Sequence, residues 1–134
     1  PPPTPTRWYR RRQRQMCIRD RAQDADRGRD VYVNHCATCH GQTGHGNGPM
    51  ANVLSVMPTD LTRLAAAGGG VFPTDRVVRR VDGSDLILAH GSPMPWWGMI
   101  LEGPSGIILA PDGTEVVAAE AIIDVTAWLE EVQR

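Results

Sequence analysis

The stretch HCATCHGQTGHGNGP, from His35 to Pro49, holds two of the three cysteines and three of the four histidines in the chain. Cys36 and Cys39 are separated by two residues, and His40 follows directly. The pattern Cys-x-x-Cys-His is the attachment signature of c-type haem. At this spacing two thiols can reach the vinyl groups on one edge of a porphyrin, and the next residue can bind the iron. The motif therefore predicts thioethers at Cys36 and Cys39 and an axial ligand at His40.

A zinc site and a redox dithiol are the alternatives for the cysteine pair. A closed zinc site needs four ligands, and His45 and His90 are the available completions, but their spacing matches no common zinc finger. A thioredoxin-like dithiol needs a βαβ setting, whereas the segment before Cys36 has a helical pattern. A chance occurrence of the pentapeptide is the third alternative, and the downstream sequence argues against it.

That downstream sequence is a methionine enclosed by prolines. Met94 lies 54 residues after His40, between Pro93 and Pro95. A thioether is a soft ligand, and the His/Met pair raises the potential of cytochrome c iron. The sequence therefore predicts Met94 as the second axial ligand, with His90 as its rival. The remaining methionines of the body are expected to fill the core; they are Met50, Met57 and Met99.

The charges of the chain are divided unevenly. Residues 1–21 hold seven of the 14 basic residues and one acid, whereas residues 22–134 carry seven arginines and 14 acids. An acidic body argues against nucleic acid and anionic membrane as partners. The chain contains no lysine. Electrostatic steering must then rely on a partner suited to an acidic surface, or on Arg76, Arg79 and Arg80.

The first 21 residues are interpreted separately from residues 22–134, which we expect to form one domain. The stretch PTRWYRRRQRQMCIRDR resembles translated sequencing-adapter read-through; a disordered tail and a basic arm are the alternatives. On the first interpretation Cys17 has no role and we expect that a signal peptide has been lost. No apolar run is long enough for a transmembrane helix, and no secretory signal is visible.

Capping and turn residues predict a mainly α-helical domain. We expect helices over 24–35, 59–67, 74–81 and 118–133, the first capped by Asp24 or Asp26 and the third by Thr74. Residues 41–49 are expected to form a glycine-rich loop. A Pro-Asp-Gly turn between two β-rich runs predicts one small hairpin near 107–117. The loops are long for so small a domain, which a cofactor wrapped by the loops would explain.

Taken together, the body resembles the class I c-type cytochromes of bacterial respiratory chains. The matching pieces are GRDVYVNHCATCHG, GHGNGPMA, PTDLTRL, GGVFPTDRVVRRVDG, HGSPMPWWG and IIDVTAWLEEV, which cover about residues 27–100 and 120–133. The resemblance implies an all-α cytochrome c fold, with four to five short helices around one haem and long loops. It also implies that the first and last helices cross at Gly28, near Trp128. The hairpin region departs from the family pattern.

The resemblance further implies roles around the haem. The carbonyl of Pro49 would accept the second ring proton of His40, and Trp97 would donate to a haem propionate or pack on the haem. His35 and His45 would not be ligands. Arg63, Arg76, Arg79 and Arg80 would pair with propionates or remain solvated.

The function expected from this site is single-electron transfer between redox partners of a respiratory chain, without a small-molecule substrate or nucleic acid. The alternatives are a haem subunit docked in an oxidase or dehydrogenase complex, and a haem enzyme or sensor with an open sixth position. A membrane would be contacted only through a partner complex. Covalent attachment of haem takes place outside the cytoplasm, so we expect a periplasmic protein.

Overall fold

The computed structural model describes residues 24–85 and 93–134. Five α-helices lie in these ranges: α1 (Ala25–His35), α2 (Ala37–His40), α3 (Leu64–Ala67), α4 (Thr74–Asp82) and α5 (Glu120–Glu131). Single 3₁₀ turns are at Ala51–Val53, Leu61–Arg63 and Trp97–Met99, and the strands are β1 (Ser105–Leu109) and β2 (Glu115–Ala119). The predicted class, mainly helical with one small hairpin, is confirmed. The predictions for residues 1–21, Cys17 and His90 fall outside the described residues.

Helices α1 and α5 cross in direct backbone contact. A Cβ atom on Gly28 would lie 1.9 Å from the carbonyl oxygen of Asp124, so only glycine allows this approach. The crossing is fastened at the start of α1, where the amide of Asp24 donates to the carboxylate of Asp124 at 3.0 Å. One turn further along, the rings of Tyr32 and Trp128 pack with centroids 4.4 Å apart. The predicted crossing of the first and last helices is therefore confirmed.

Helix α1 begins as its sequence predicts, whereas α4 does not. The carboxylate of Asp24 caps α1 by accepting from the amide of Arg27 at 3.0 Å. Thr74 was expected to cap the third helix, but Pro73 occupies the cap position and Thr74 is the first helical residue. The Thr74 hydroxyl is buried and has no hydrogen-bond partner among the described residues. The helix ends at Asp82 and is followed by Gly83, whose left-handed φ of 87° suits a residue without a Cβ.

The β1–β2 hairpin packs one face on the helices and turns the other outwards. Ile107 pairs with Val117 and Leu109 with Glu115 in an antiparallel register. Ile108 and Val116 belong to the buried core. The turn places Gly113 at a φ of 87° and is closed by the amide of Gly113 on the carbonyl of Ala110 at 2.9 Å. The hairpin predicted near 107–117 is confirmed.

The core differs from the prediction at its methionines. Its largest fully buried side chains include Tyr32, Ile122 and Val125. In contrast, Met50, Met57 and Met99 are 42%, 68% and 72% exposed, so the prediction that they fill the core is wrong. Met50 directly precedes the 3₁₀ turn Ala51–Val53, and Met99 is the last residue of the turn Trp97–Met99. Across the two described ranges, no helix combines the length and apolar character needed to span a bilayer.

Candidate haem site

The Cys-x-x-Cys-His motif forms a single helical turn that is offset from α1. Helix α1 ends at His35, and Cys36 leaves the regular helix with a φ of −112°. The amide of His40 then donates to the carbonyl of Cys36 at 2.9 Å, which closes the turn of α2. Both thiols are free and partly exposed. The turn therefore brings the two predicted thioether residues and the predicted iron ligand together on adjacent backbone.

The imidazole of His40 is held by one backbone contact. Its Nδ1 atom lies 3.0 Å from the carbonyl oxygen of Thr59. Because a carbonyl can only accept, Nδ1 carries the proton, and in the neutral ring Nε2 keeps its lone pair. Burial lowers the pKa of His40 below its ordinary value, although the bond to Thr59 opposes this shift. The neutral tautomer with a free Nε2 is the form that binds iron.

The acceptor for His40 was predicted to be Pro49, and the structure places Thr59 there instead. The loop 41–49 is tied back to the motif by its own amides: Gly46 donates to the carbonyl of His40 at 2.8 Å, and Gly48 donates to the carbonyl of Cys39 at 3.1 Å. Pro49 is exposed at the end of this loop. The sequence gives no signal for Thr59, because its backbone carbonyl and not its side chain accepts the bond.

The cysteine pair does not have the electrostatics of a redox dithiol. Burial, reinforced by the charge of Cys39, raises the pKa of the Cys36 thiol to about 12. The attacking thiol of a disulfide oxidoreductase has the opposite shift, towards a thiolate at neutral pH. Among the described residues no group of three or more His, Cys, Asp or Glu side chains could hold a metal ion. A zinc site built from this pair and His45 is therefore not formed.

Glycine allows the loop 41–49 to lie directly on the motif. A Cβ atom on Gly48 would lie 2.3 Å from the carbonyl oxygen of Thr38, inside the Cys-x-x-Cys turn. Gly46 has a φ of 82°, and a Cβ there would lie 2.4 Å from the carbonyl of Pro58. The contact at Gly48 leaves no room for a side chain between this residue and the turn. The loop therefore covers the backbone of the motif closely.

The Met94 segment is anchored by the residues that follow it. Met94 and Trp97 are partly buried and pack against the core. The rings of Trp97 and His35 meet edge to face, with centroids 5.4 Å apart and an interplanar angle of 62°. A Cβ on Gly98 would lie 2.4 Å from the carbonyl oxygen of Asp82. The segment thus contacts both α1 and α4, while ligation by Met94 stays a prediction.

Most other predicted site residues have partners away from the motif. Nδ1 of His45 lies 2.7 Å from the hydroxyl of Thr43, and its Nε2 accepts from the guanidinium of Arg134. Arg79 pairs with Asp75, and Arg80 pairs with Asp85 at 3.4 Å. The two other predicted arginines, Arg63 and Arg76, are exposed. Contact of any of these arginines with a haem propionate stays a prediction.

The donor set fits a c-type haem. Two free thiols lie on one turn, an imidazole with an available Nε2 follows them, and Gly48 lets the covering loop approach the backbone of that turn. When bound there, a haem supplies one iron that takes up and releases single electrons.

A family profile agrees with this donor set. The profile of the family described as cytochrome C oxidase, cbb3-type, subunit III matches residues 23–129. Among solved structures, a chain of the reducing HAO-like protein complex of Kuenenia stuttgartiensis is 20% identical, with a TM-score of 0.46. The alignment covers 81% of this chain and 42% of that chain, so this chain spans less than half of its length. The search of curated proteins found no match.

Proposed function

Because the chain belongs to the family of cytochrome c oxidase, cbb3-type, subunit III, and is thus a c-type cytochrome domain of electron-transfer haem proteins, we propose that it carries one haem c. Cys36 and Cys39 would form the thioethers, and His40 and Met94 would be the axial ligands. The protein would pass single electrons between redox proteins of a respiratory chain in the periplasm, without acting as an enzyme.

The contact between Nδ1 of His40 and the carbonyl oxygen of Thr59 is the observation that supports this proposal most directly. The carbonyl of Thr59 accepts the Nδ1 proton at 3.0 Å, so the ring is fixed and its Nε2 atom is available to a metal. A hydrogen bond of this kind orients a histidine ligand and increases its basicity. The two free thiols on the preceding turn supply the covalent attachment.

A pyridine haemochrome spectrum of protein produced in a host with cytochrome c maturation machinery tests the attachment. We expect the spectrum of a haem with two thioether links, and the spectrum of a single thioether in Cys36→Ser or Cys39→Ser. A protein that binds haem without any thioether would contradict the proposal. For Met94, we expect a sulfur-to-iron charge-transfer band in the oxidised protein, and its loss in Met94→Ala.

A second candidate function is that of a haem subunit fixed in a larger complex. It is favoured by the description of the family, which names a subunit of an oxidase. The two candidates differ in solution behaviour, because a fixed subunit copurifies with membranes through its partner and a free carrier does not. Fractionation of the native host, followed by haem staining, distinguishes them.

The enzyme or sensor alternative requires an open sixth position on the iron. Reduced protein with that position open binds carbon monoxide rapidly without denaturant, whereas a Met94 ligand slows binding. We expect slow binding, and rapid binding would favour the alternative.

A further inference from the structure

The side of the site that carries His40 presents an exposed apolar surface. Four large apolar side chains follow the motif closely and are 42–70% exposed. We call this surface the 50–57 face, and its residues are Met50, Val53, Val56 and Met57. It lies in a domain whose residues 22–134 otherwise carry an excess of acids.

The 50–57 face is attached to the haem motif at both ends. At one end the amide of Met50 donates to the carbonyl of Thr38, inside the Cys-x-x-Cys turn, at 3.0 Å. At the other end the carbonyl of Thr59 accepts from His40 at 3.0 Å. A segment held at these two points must lie directly beside the haem motif. An object that covers this surface would therefore be close to the redox centre.

The sequence around the face contains no formal charge. Residues 31–59 include no Asp, Glu, Arg or Lys, although such residues make up 22% of the chain. The segment that holds Met94 is similar, since residues 86–101 also lack all four types. On α4, Arg79 and Arg80 are paired with acids, whereas Arg76 is exposed. Residues 50–57 therefore offer no charge for the usual electrostatic recognition of a redox partner, and Asp60 and Arg134, which contacts His45, lie outside them.

We propose that the 50–57 face is the docking surface for a redox protein that presents an uncharged, apolar surface of its own. The inference rests on the proposed electron-transfer function and specifies where the partner binds. A charged partner surface would lose hydration on this face without gaining an opposite charge, whereas an apolar one would remove Val53 and Met57 from water. Small interfaces are typical of brief encounters between redox proteins.

A second copy of the protein is a suitable probe, because it presents the same uncharged face. The measurement is the rate of electron self-exchange, in which an electron passes from the ferrous haem of one copy to the ferric haem of another. Line broadening in NMR spectra of mixed ferrous and ferric holoprotein gives this rate. A titration of unlabelled into ¹⁵N-labelled ferrous protein locates the contact independently, and we expect amide shifts to be confined to residues 50–57.

Val53→Glu and Val117→Glu form a matched pair of variants. Both valines are exposed, at 70% and 61%, and both substitutions add the same charge to the whole molecule. Val53 lies on the 50–57 face, whereas Val117 lies on the outer face of the hairpin. We expect Val53→Glu to slow self-exchange about tenfold and Val117→Glu to change it less than twofold. Met57→Glu is expected to behave like Val53→Glu, and Val53→Thr like the parent.

Three results would overturn the inference. The first is that Val53→Glu and Val117→Glu slow self-exchange equally. The second is haem loss or a changed haem spectrum in Val53→Glu, and the third is that the parent binds phosphatidylcholine vesicles and Val53→Glu does not. The second would assign Val53 to the haem pocket, and the third would assign the face to a membrane. Failure of the electron-transfer proposal itself is recognised separately. In that case the parent protein lacks the haemochrome spectrum or is not reduced by dithionite, a small reagent that needs no docking surface.

Discussion

The imidazole of His35 meets the indole of Trp97 edge to face, with ring centroids 5.4 Å apart. This contact joins the residue directly before the haem motif to the residue three positions after Met94. His35 therefore acts as a positioning residue for the Met94 segment. An aromatic contact of this kind is worth about 0.5–1.5 kcal/mol.

Replacement of His35 by alanine is expected to loosen the Met94 segment. The fraction of protein that has lost methionine ligation should rise by roughly two- to tenfold, which is the free energy of the aromatic contact expressed as an equilibrium constant. The measurement is the sulfur-to-iron charge-transfer band as the oxidised protein is warmed. His35→Phe is the control, because it keeps an aromatic ring, and its band should persist as in the parent. Equal loss in both variants would contradict the role assigned to the ring contact.

Tyr32→Phe is expected to lower the free energy of unfolding by about 1–2 kcal/mol. The buried hydroxyl of Tyr32 donates to the carbonyl of Gly41 at 2.6 Å, one residue beyond His40. The substitution removes this donor and keeps the packing against Trp128. Denaturant unfolding of the holoprotein measures the loss. Tyr32→Leu should cost more, since it also removes the ring; a Phe variant as stable as the parent would show that the hydroxyl contributes little.

Gly28→Ala is expected to destabilise the holoprotein by about 2 kcal/mol or more, because the new methyl group would force α1 and α5 apart. A Cβ at this position would lie 1.9 Å from the carbonyl oxygen of Asp124. Gly103→Ala is the control, since a Cβ there meets nothing within 4 Å. Thermal unfolding followed by far-ultraviolet circular dichroism compares the two. Similar melting temperatures for both variants would contradict the close crossing.

The stability of the helix crossing should depend on the ionisation of Asp124. Burial raises the pKa of Asp124 above its ordinary value of 3.8, although its bonds to Asp24 and Arg27 oppose the shift. The folded state then binds more protons than the unfolded state as the pH rises from 3.8 through the raised pKa. The contribution of Asp124 is therefore fully present below this window and is lost as the pH rises through it.

Unfolding of the parent and Asp124→Asn as a function of pH measures this dependence. The stability of the parent relative to Asp124→Asn should decrease as the pH rises through that window. Asp112 gives a control of opposite sign, because hydrogen bonds from Thr114 lower its pKa. The stability of the parent relative to Asp112→Asn should increase as the pH rises through the lowered pKa. The same sign in both comparisons would contradict the assignment for Asp124.

Local sequence signals predicted the elements of this fold well. The Asp24 cap and the Pro-Asp-Gly turn depend on hydrogen bonds within a few residues, so their sequences are sufficient to place them. The Cys-x-x-Cys-His spacing is equally local, and the turn that it predicts is present. The crossing at Gly28 was implied by a family resemblance, since the partner backbone at Asp124 lies 96 residues away.

The parts that the sequence did not predict depend on distant contacts. The acceptor for His40 is the backbone carbonyl of Thr59, which is 19 residues away in the chain. Because every residue has a backbone carbonyl, the sequence alone does not indicate which one accepts this bond. The exposed methionines mislead for a similar reason, because a flexible apolar side chain is suited equally to a core and to an interface. The contact between His35 and Trp97 joins two segments that are far apart in the chain, and no local pattern indicates that they meet.

The residues that flank the β1–β2 hairpin lie next to each other at its base. The amide of Glu120 donates to the carbonyl of Pro104 at 2.8 Å, so the two ends of the β1–β2 excursion are already joined at its base. Its exposed turn at 111–114 can accept a spectroscopic label or a short peptide insertion without altering the path into α5. The fold thus provides an attachment point separate in sequence from both the haem motif and the Met94 segment, through which the protein can be immobilised while its redox site stays intact.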